Sequence, residues 1–250
     1  MQPPEWNIPL FFGFLIISLL YLLLVRLWLK EKPLLIQTLL FYSGLWIIYF
    51  LTGSPLAHVS HVSFTFHMID MSLLFFIVPP MLLLGLPSSM MRGQNSLFNR
   101  RIRRIWSPVI SLILFACLFF LYHLPFIFDV YSQYPSIHDG YVFIMFLLSI
   151  HAWSPLTNST QSFQRRSYAF LSGMILMPAC LLFIVNGLLG ETTISFLVNV
   201  TKHQMASHSS YLVLPSWYTS QVDQIVAGII MIAIHKLAMV MTYKMAMRMN

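Results

Sequence analysis

Residues 67–87 read HMIDMSLLFFIVPPMLLLGLP. The run is long enough to cross a bilayer as a helix, which takes about 20 apolar residues. Yet its first turn carries a histidine, an aspartate and two methionines. Hydrocarbon penalises ionisable groups, so where they occur inside a span they are rare and usually functional.

The rest of the chain shares this character. Of its 250 residues 58% are hydrophobic and 8% charged, with a mean hydropathy of +0.77. A soluble domain carries roughly 25% charged residues. The composition therefore predicts an all-α integral membrane protein. No polar block is long enough to fold alone, so residues 1–250 are expected to form a single membrane domain. Seven stretches are long enough to span, at approximately 8–28, 34–52, 65–86, 108–128, 138–156, 168–188 and 222–243. The first is not expected to be a cleaved signal peptide, because basic residues follow it instead of preceding it.

Basic residues set the orientation. Arg26, Lys30 and Lys32 flank the first link, and Arg92, Arg100, Arg101, Arg103 and Arg104 lie in the third. Arg165 and Arg166 lie in the fifth, Lys244 and Arg248 in the tail, and the remaining links hold only Lys202. Positive charge stays cytoplasmic, which predicts an outside N-terminus, a cytoplasmic C-terminus and seven transmembrane helices in one bundle. The net charge of +7 is then a topology signal. The RRIRR run at 100–104 reads as a membrane-edge anchor, and nucleic acid is not expected as a partner.

On this topology seven of the nine histidines (His58, His61, His67, His123, His138, His203 and His208) fall at the outer face or the outer ends of spans, leaving His151 and His235 inward. The acids Glu5, Asp70, Asp129, Asp139, Glu191 and Asp223 share that side, and Glu31 alone is inside. His58, His61, His203 and His208, the last two in the long outer link 189–221, read singly as solvated loop residues. That link is either a lid or a solvated loop.

His67 is different. Residues i, i+3 and i+4 share a helix face, so His67, Asp70 and Met71 point one way, with Met68 offset by about 100°. Imidazole with thioether is a soft donor set that suits Cu(I) and needs no oxidisable thiolate. Asp70 would orient His67 or relay a proton. The alternative is packing methionines beside a hydrogen-bonded His67–Asp70 pair, and the residues alone leave both open. His123 and His138 bracket an outer link, so either could complete a His/Met site. Asp223 opens the last span, where capping alone would account for it. Gln224, Ala227 and Gly228 beside it allow close helix contact. Paired prolines at 79–80, and Pro178, predict kinks whose freed carbonyls neighbouring helices must satisfy.

Lys236 in the last span raises a retinal Schiff base as a rival. The acids sit at the outer ends, so no counter-ion lies near the bilayer centre. Cys117 and Cys180, each inside an apolar run, read as core fillers. No nucleophile–base pair, phosphate loop or nucleotide fingerprint is present, so no catalytic residue is expected.

Three blocks carry a resemblance. The first is H-M-x-x-M, P-P and L-G-x-P (His67, Met68, Met71, Pro79, Pro80, Leu84, Gly85, Pro87). The second is Y-H-L-P at 122–125, followed by His138 and the W-x-P of Trp153 and Pro155. The third is D-Q-x-x-A-G-x-x-M (Asp223, Gln224, Ala227, Gly228, Met231). In this order they resemble the CtaG-type cytochrome c oxidase assembly factors. This chain has Met71 where many relatives carry a second histidine, and Ile232 where span seven often has a tryptophan.

The resemblance implies a multi-pass plasma-membrane protein of the respiratory chain that serves haem–copper oxidase subunits from within the lipid bilayer, supplying copper to the catalytic subunit. Joined to the residue reading, it gives a metallochaperone with transient Cu(I) on His67 and Met71, His123 and His138 as partners, and Asp70 and Asp223 as orienting or proton-handling groups. A transporter, a haem-binding membrane protein using His67, His123 and His138, and a structural scaffold for oxidase subunits are the alternatives.

Overall fold

In hydrocarbon every backbone N–H and C=O must be satisfied within its own segment, which leaves a chain of this composition the helix. The computed structural model describes residues 6–28, 34–55, 63–87, 107–123, 134–158, 162–189 and 219–249, and these form seven helices and no strand. Helix α1 is Ile8–Leu23, continued by a π-helical turn at Leu24–Trp28. Helix α2 is Leu35–Gly53. Helix α3, Phe64–Gly85, is interrupted by a π-helical turn at Leu73–Ile77. The rest are α4 Pro108–Tyr122, α5 Pro135–Asn158, α6 Ser162–Leu189 and α7 Ser220–Met249. Six of the seven are long and apolar enough to cross a membrane. Helix α4 is a shorter apolar helix, and the last part of the span expected at 108–128 lies outside the described residues.

The helix starts follow local chemistry. Asn7 Oδ1 accepts from the Leu10 amide at 3.0 Å, Ser63 Oγ from Phe66 at 3.2 Å, and Ser107 Oγ from Val109 at 3.2 Å, just before Pro108. Such caps satisfy amides that have no partner inside the helix.

Side-chain bonds fix how the helices run. Tyr122 meets His138, Tyr141 bonds Leu118 and Ser111 meets His151, so α4 and α5 are antiparallel. Asn186 bonds Gln224 while Ser172 touches Met239, so α6 and α7 are antiparallel too. Helices α3 and α7 run parallel, because Thr65 meets Asp223 at one level and Phe76 meets His235 eleven and twelve residues further on. The basic residues Arg26, Arg165, Arg166, Lys244 and Arg248 fall near one end of the bundle, and Asp70, Asp139 and Asp223 near the other.

The bundle is patterned inside out. Ser72, Ser111, Ser149, Asn186, Gln224 and Thr242 are buried, while Phe12, Ile16, Phe143, Phe170 and Leu237 are exposed. Lipid is as apolar as these side chains, so polar groups and close packing hold the interior together instead. A β-carbon on Gly228 would stand 2.9 Å from the Cys180 carbonyl, and one on Gly85 would stand 2.8 Å from the Phe41 amide. Glycine at both places lets neighbouring backbones touch.

The carbonyl expected to be freed by the paired prolines is satisfied by a neighbouring helix. Pro79 has no N–H, which frees the carbonyl four residues earlier, that of Phe75. Ser149 Oγ at 2.5 Å and Trp153 Nε1 at 3.0 Å both donate to it. Pro155 likewise frees the His151 carbonyl, which takes the Ser154 hydroxyl at 2.7 Å. The Arg92 and RRIRR cluster, Lys30, Lys32, Lys202, His58, His61, His203, His208, Glu5, Glu31, Asp129, Glu191 and the 190–218 part of the link before α7 lie outside the described residues.

Candidate functional site

The ends of α3, α4, α5 and α7 on the side of Asp70, Asp139 and Asp223 converge near His67. Its entry turn is anchored by α7: both oxygens of Asp223 accept from α3 amides, Oδ2 from Phe64 and Oδ1 from Thr65, each at 2.8 Å. The Thr65 hydroxyl returns a bond to the Asp223 carbonyl at 3.0 Å. Asp223 is fully buried, and a carboxylate facing the positive end of a helix is the charge that end favours. It thus caps the third helix as well as opening the seventh, a partner that sequence distance hides. One residue on, Gln224 Oε1 accepts from Asn186 Nδ2 of α6. The D-Q pair clamps a different helix with each side chain.

His67 is 9% exposed and stands two residues beyond this clamp. Its ring stacks on Tyr122 with centroids 5.8 Å apart and planes 17° apart. His123, whose ring also lies against Tyr122 at 5.1 Å, is beside it at 6.3 Å and 63°. Metal–nitrogen bonds of about 2.0 Å place two imidazole centroids on one ion no more than about 6.4 Å apart, so at this separation the pair would share an ion in a near-linear arrangement.

His123 ends α4, is 5% exposed, and has Nδ1 2.7 Å from the Phe119 carbonyl. A carbonyl only accepts, so Nδ1 carries the hydrogen and Nε2 presents a lone pair. That Nε2 is buried and has no hydrogen-bond partner among the described residues. An N–H held by a backbone carbonyl with the second nitrogen bare is the usual state of a metal-ligating histidine.

The other expected residues are placed as follows. Met71 lies one turn below His67 and is buried, as is Met68, which the helical offset had set aside. Asp70 is half-buried. His138 is 36% exposed, with Nδ1 3.2 Å from Asp139 Oδ1 and Nε2 3.0 Å from the Tyr122 hydroxyl. Tyr122 stands between it and His67, bonding the one and stacking on the other. The structure therefore joins His67 to His123 directly and sets His138 one ring further out.

Tyr122 was not singled out from the sequence, although it adjoins His123 in the Y-H-L-P block and touches all three histidines. Phe64, Phe119 and Phe183 close round His123 with centroids 4.8–6.2 Å away. Lys236 is exposed, its ammonium against Gly173, so it faces away from these histidines. Among the described residues no three of histidine, cysteine, aspartate and glutamate are grouped to hold a metal, so any soft-metal site here has to use thioethers or two histidines.

The three sequence blocks meet in this interior: His67 on α3, Tyr122 and His123 on α4, Trp153 of α5 on the π-helical turn of α3, and Asp223 with Gln224 at the head of α7. No curated protein and no solved structure matches the chain. The model of the cytochrome c oxidase caa3 assembly factor family (Caa3_CtaG) matches residues 19–249, and the chain belongs to that family.

Proposed function

We propose that the chain assembles its oxidase by holding one Cu(I) ion, as cargo, between the outer ends of α3 and α4 for transfer to the catalytic subunit. His67 and His123 supply the nitrogens. Met71 adds a thioether from one turn below, or Met68 from the adjoining position, and His138 is a second-rank partner through Tyr122. The observation that supports this reading is the bare, buried Nε2 of His123 with the His67 ring 6.3 Å away. A buried polar atom without a partner is costly, and a soft cation would offset that cost.

Within the same reading the chain is a single plasma-membrane domain with seven spans, the N-terminus outside and the C-terminus cytoplasmic. This follows from the basic residues gathered at one bundle end. The chain performs no catalysis. Asp223 acts through the α3 backbone, holding the turn that carries His67, and Asp70 is kept as a proton-handling candidate. A haem reading finds less support, since aromatic rings fill the space around His123 that a macrocycle would need.

A scaffold reading is favoured by the Asp223 and Gln224 clamps, which stabilise the bundle with or without an ion. The test compares wild type with His67→Ala and His123→Ala, in cells and as purified protein titrated with Cu(I) under reducing conditions. Each variant should lose one bound ion and yield oxidase short of copper. Fully metallated oxidase from both variants would leave the scaffold reading standing.

A further inference from the structure

Arg165 is the only lysine or arginine buried among the described residues. It is 3% exposed, while Arg166, Lys244 and Arg248 near the same end of the bundle are exposed. Its Nε is buried and has no hydrogen-bond partner among the described residues. No carboxylate among them pairs with it. The ion pair they contain joins His138 to Asp139, and Asp70, Asp139 and Asp223 all lie near the opposite end. Arginine keeps its charge in a protein, and a buried charge is tolerated where a counter-ion meets it. This guanidinium therefore calls for an anion that the described residues do not supply.

The helices place it at the edge of the bundle. Asn186 faces Gln224 and Ser172 faces Met239. Arg165, seven residues beyond Ser172, is thus level with Ala246, seven beyond Met239, and Lys244 and Arg248 lie within two residues of that level. Tyr168 fixes the depth. Its hydroxyl donates to the Ala152 carbonyl at 2.7 Å and lies 3.3 Å from the Pro108 carbonyl, and Pro108 is the first residue of α4. Arg165 is three residues nearer the end of α6, about 4.5 Å, and helical side chains lean toward the N-terminus of their helix. The charge therefore sits where an apolar helix of the bundle begins, which in a bilayer is the headgroup layer.

Two features set the chemistry. Arg165 is the fourth residue of α6, a helix of 28 residues that starts at Ser162, so it stands at the positive end, which favours oxyanions. A guanidinium also presents a planar fork of donors that matches a carboxylate or a phosphate at two points. Phosphate is the one of these that the headgroup layer itself supplies. The exposed charges of Arg166, Lys244 and Arg248 near this level disfavour a headgroup that carries its own cation and attract one of net negative charge.

We propose that Arg165, at the head of α6, holds the phosphodiester of an anionic lipid, with Arg166, Lys244 and Arg248 as the exposed rim of the site. The site lies at the opposite end of the bundle from His67 and stands independently of any copper held there. A lipid shared by α6 and α7 at this end ties the two helices together, as the Asn186–Gln224 bond does at the other.

The test adds phosphatidylglycerol, phosphatidylcholine or inorganic phosphate to the purified full-length protein in detergent. Native mass spectrometry reads the lipid retained, and thermal unfolding reads its effect. Wild type is expected to keep one phosphatidylglycerol and to unfold several degrees higher with it, and to respond less to phosphatidylcholine. Arg165→Gln should abolish both effects, and Arg165→Lys, which keeps the charge without the fork, should weaken them. The triple variant Arg166→Gln/Lys244→Gln/Arg248→Gln changes exposed residues only and should lose affinity about fivefold for each charge removed. Inorganic phosphate that gives the full shift in wild type and none in Arg165→Gln upholds the phosphate site and overturns the lipid as its source. Undiminished phosphatidylglycerol binding by Arg165→Gln overturns the proposal. Where that variant does not fold, undiminished binding by the triple variant overturns it instead. Absence of any lipid effect in wild type also overturns it, and Glu31→Gln as destabilising as Arg165→Gln would then mark a counter-ion within the chain.

Discussion

Helices α1 and α3 are both apolar spans of similar length, yet their most hydrophobic windows are 11% and 67% buried. Helix α1 meets α2 through stacked rings such as Tyr21 on Phe41 at 3.9 Å, and its other faces present Phe12, Ile16, Leu19 and Leu20 outward. Helix α3 is enclosed by α2, α4, α5 and α7. Neighbouring helices hold polar groups along it, from the Asp223 clamp at its entry to the Ser149–Trp153 pair on the Phe75 carbonyl. In a solvent without water, apolar surface distinguishes these two helices poorly. Buried polar bonds distinguish them well, and the candidate chemistry lies where those bonds are.

The largest effect should come from the clamp. Replacing Asp223 by alanine strands the Phe64 and Thr65 amides in the interior, at about 1–3 kcal/mol for each unsatisfied donor. Thermal unfolding in detergent should fall by several degrees. Asp223→Asn keeps one carbonyl acceptor and should recover part of that loss. The asparagine variant also separates two roles. If Asp223 only clamps, stability and oxidase maturation should fall together. If it handles a proton, Asp223→Asn should abolish maturation while the protein stays folded.

The π-helical turn before the paired prolines offers a smaller, more local test. Trp153→Phe removes one of two donors to the Phe75 carbonyl and should cost about 1 kcal/mol. Pro79→Ala supplies the missing amide and lets α3 close its own hydrogen bond. In that background Trp153→Phe should cost measurably less, so the double-mutant cycle should show coupling. Additive costs would mean that the tryptophan is held by packing alone. The π-helical turn would then owe its shape to the neighbouring helices and not to the proline.

How much of this was legible in the sequence depends on the range of each interaction. Helix positions were readable because span length and polarity are local: the expected 34–52 and 65–86 are Leu35–Gly53 and Phe64–Gly85. The last span was read as ending at 243 but continues to Met249, since Tyr243, Lys244 and Arg248 mark the end of apolarity, where a helix can still go on into water. Pro79 announced a free carbonyl at Phe75, and its donors lie 74 and 78 residues away, beyond any spacing rule. Asp223 was read as the cap of its own helix because capping is ordinarily local, whereas its carboxylate crosses to α3 158 and 159 residues away. His67 was found through its own helix face, but the nearness of His123 required the fold. Tyr122 escaped notice because a tyrosine in an apolar run is unremarkable until a histidine stacks on it.

The smallest effect belongs to the exposed helix, and it is the one that can overturn the comparison. Gly13 lies in the middle of α1, and a β-carbon there would meet nothing within 4 Å. Alanine is the better helix former by about 1 kcal/mol in water, and in lipid, where the helix is already fully bonded, less of that gain should appear. Gly13→Ala should therefore leave thermal stability unchanged or raise it by a fraction of a kcal/mol. Oxidase maturation adds what stability alone lacks. A lipid-facing glycine tolerates a methyl group, whereas a glycine in a notch that receives a partner's helix does not, because small residues at membrane interfaces let backbones approach. Unchanged stability with normal maturation keeps α1 a lipid-facing helix and the work of the protein in α3–α7. Unchanged stability with lost maturation would make α1 the surface that meets the oxidase, and its low burial would then be the mark of an interface instead of a periphery.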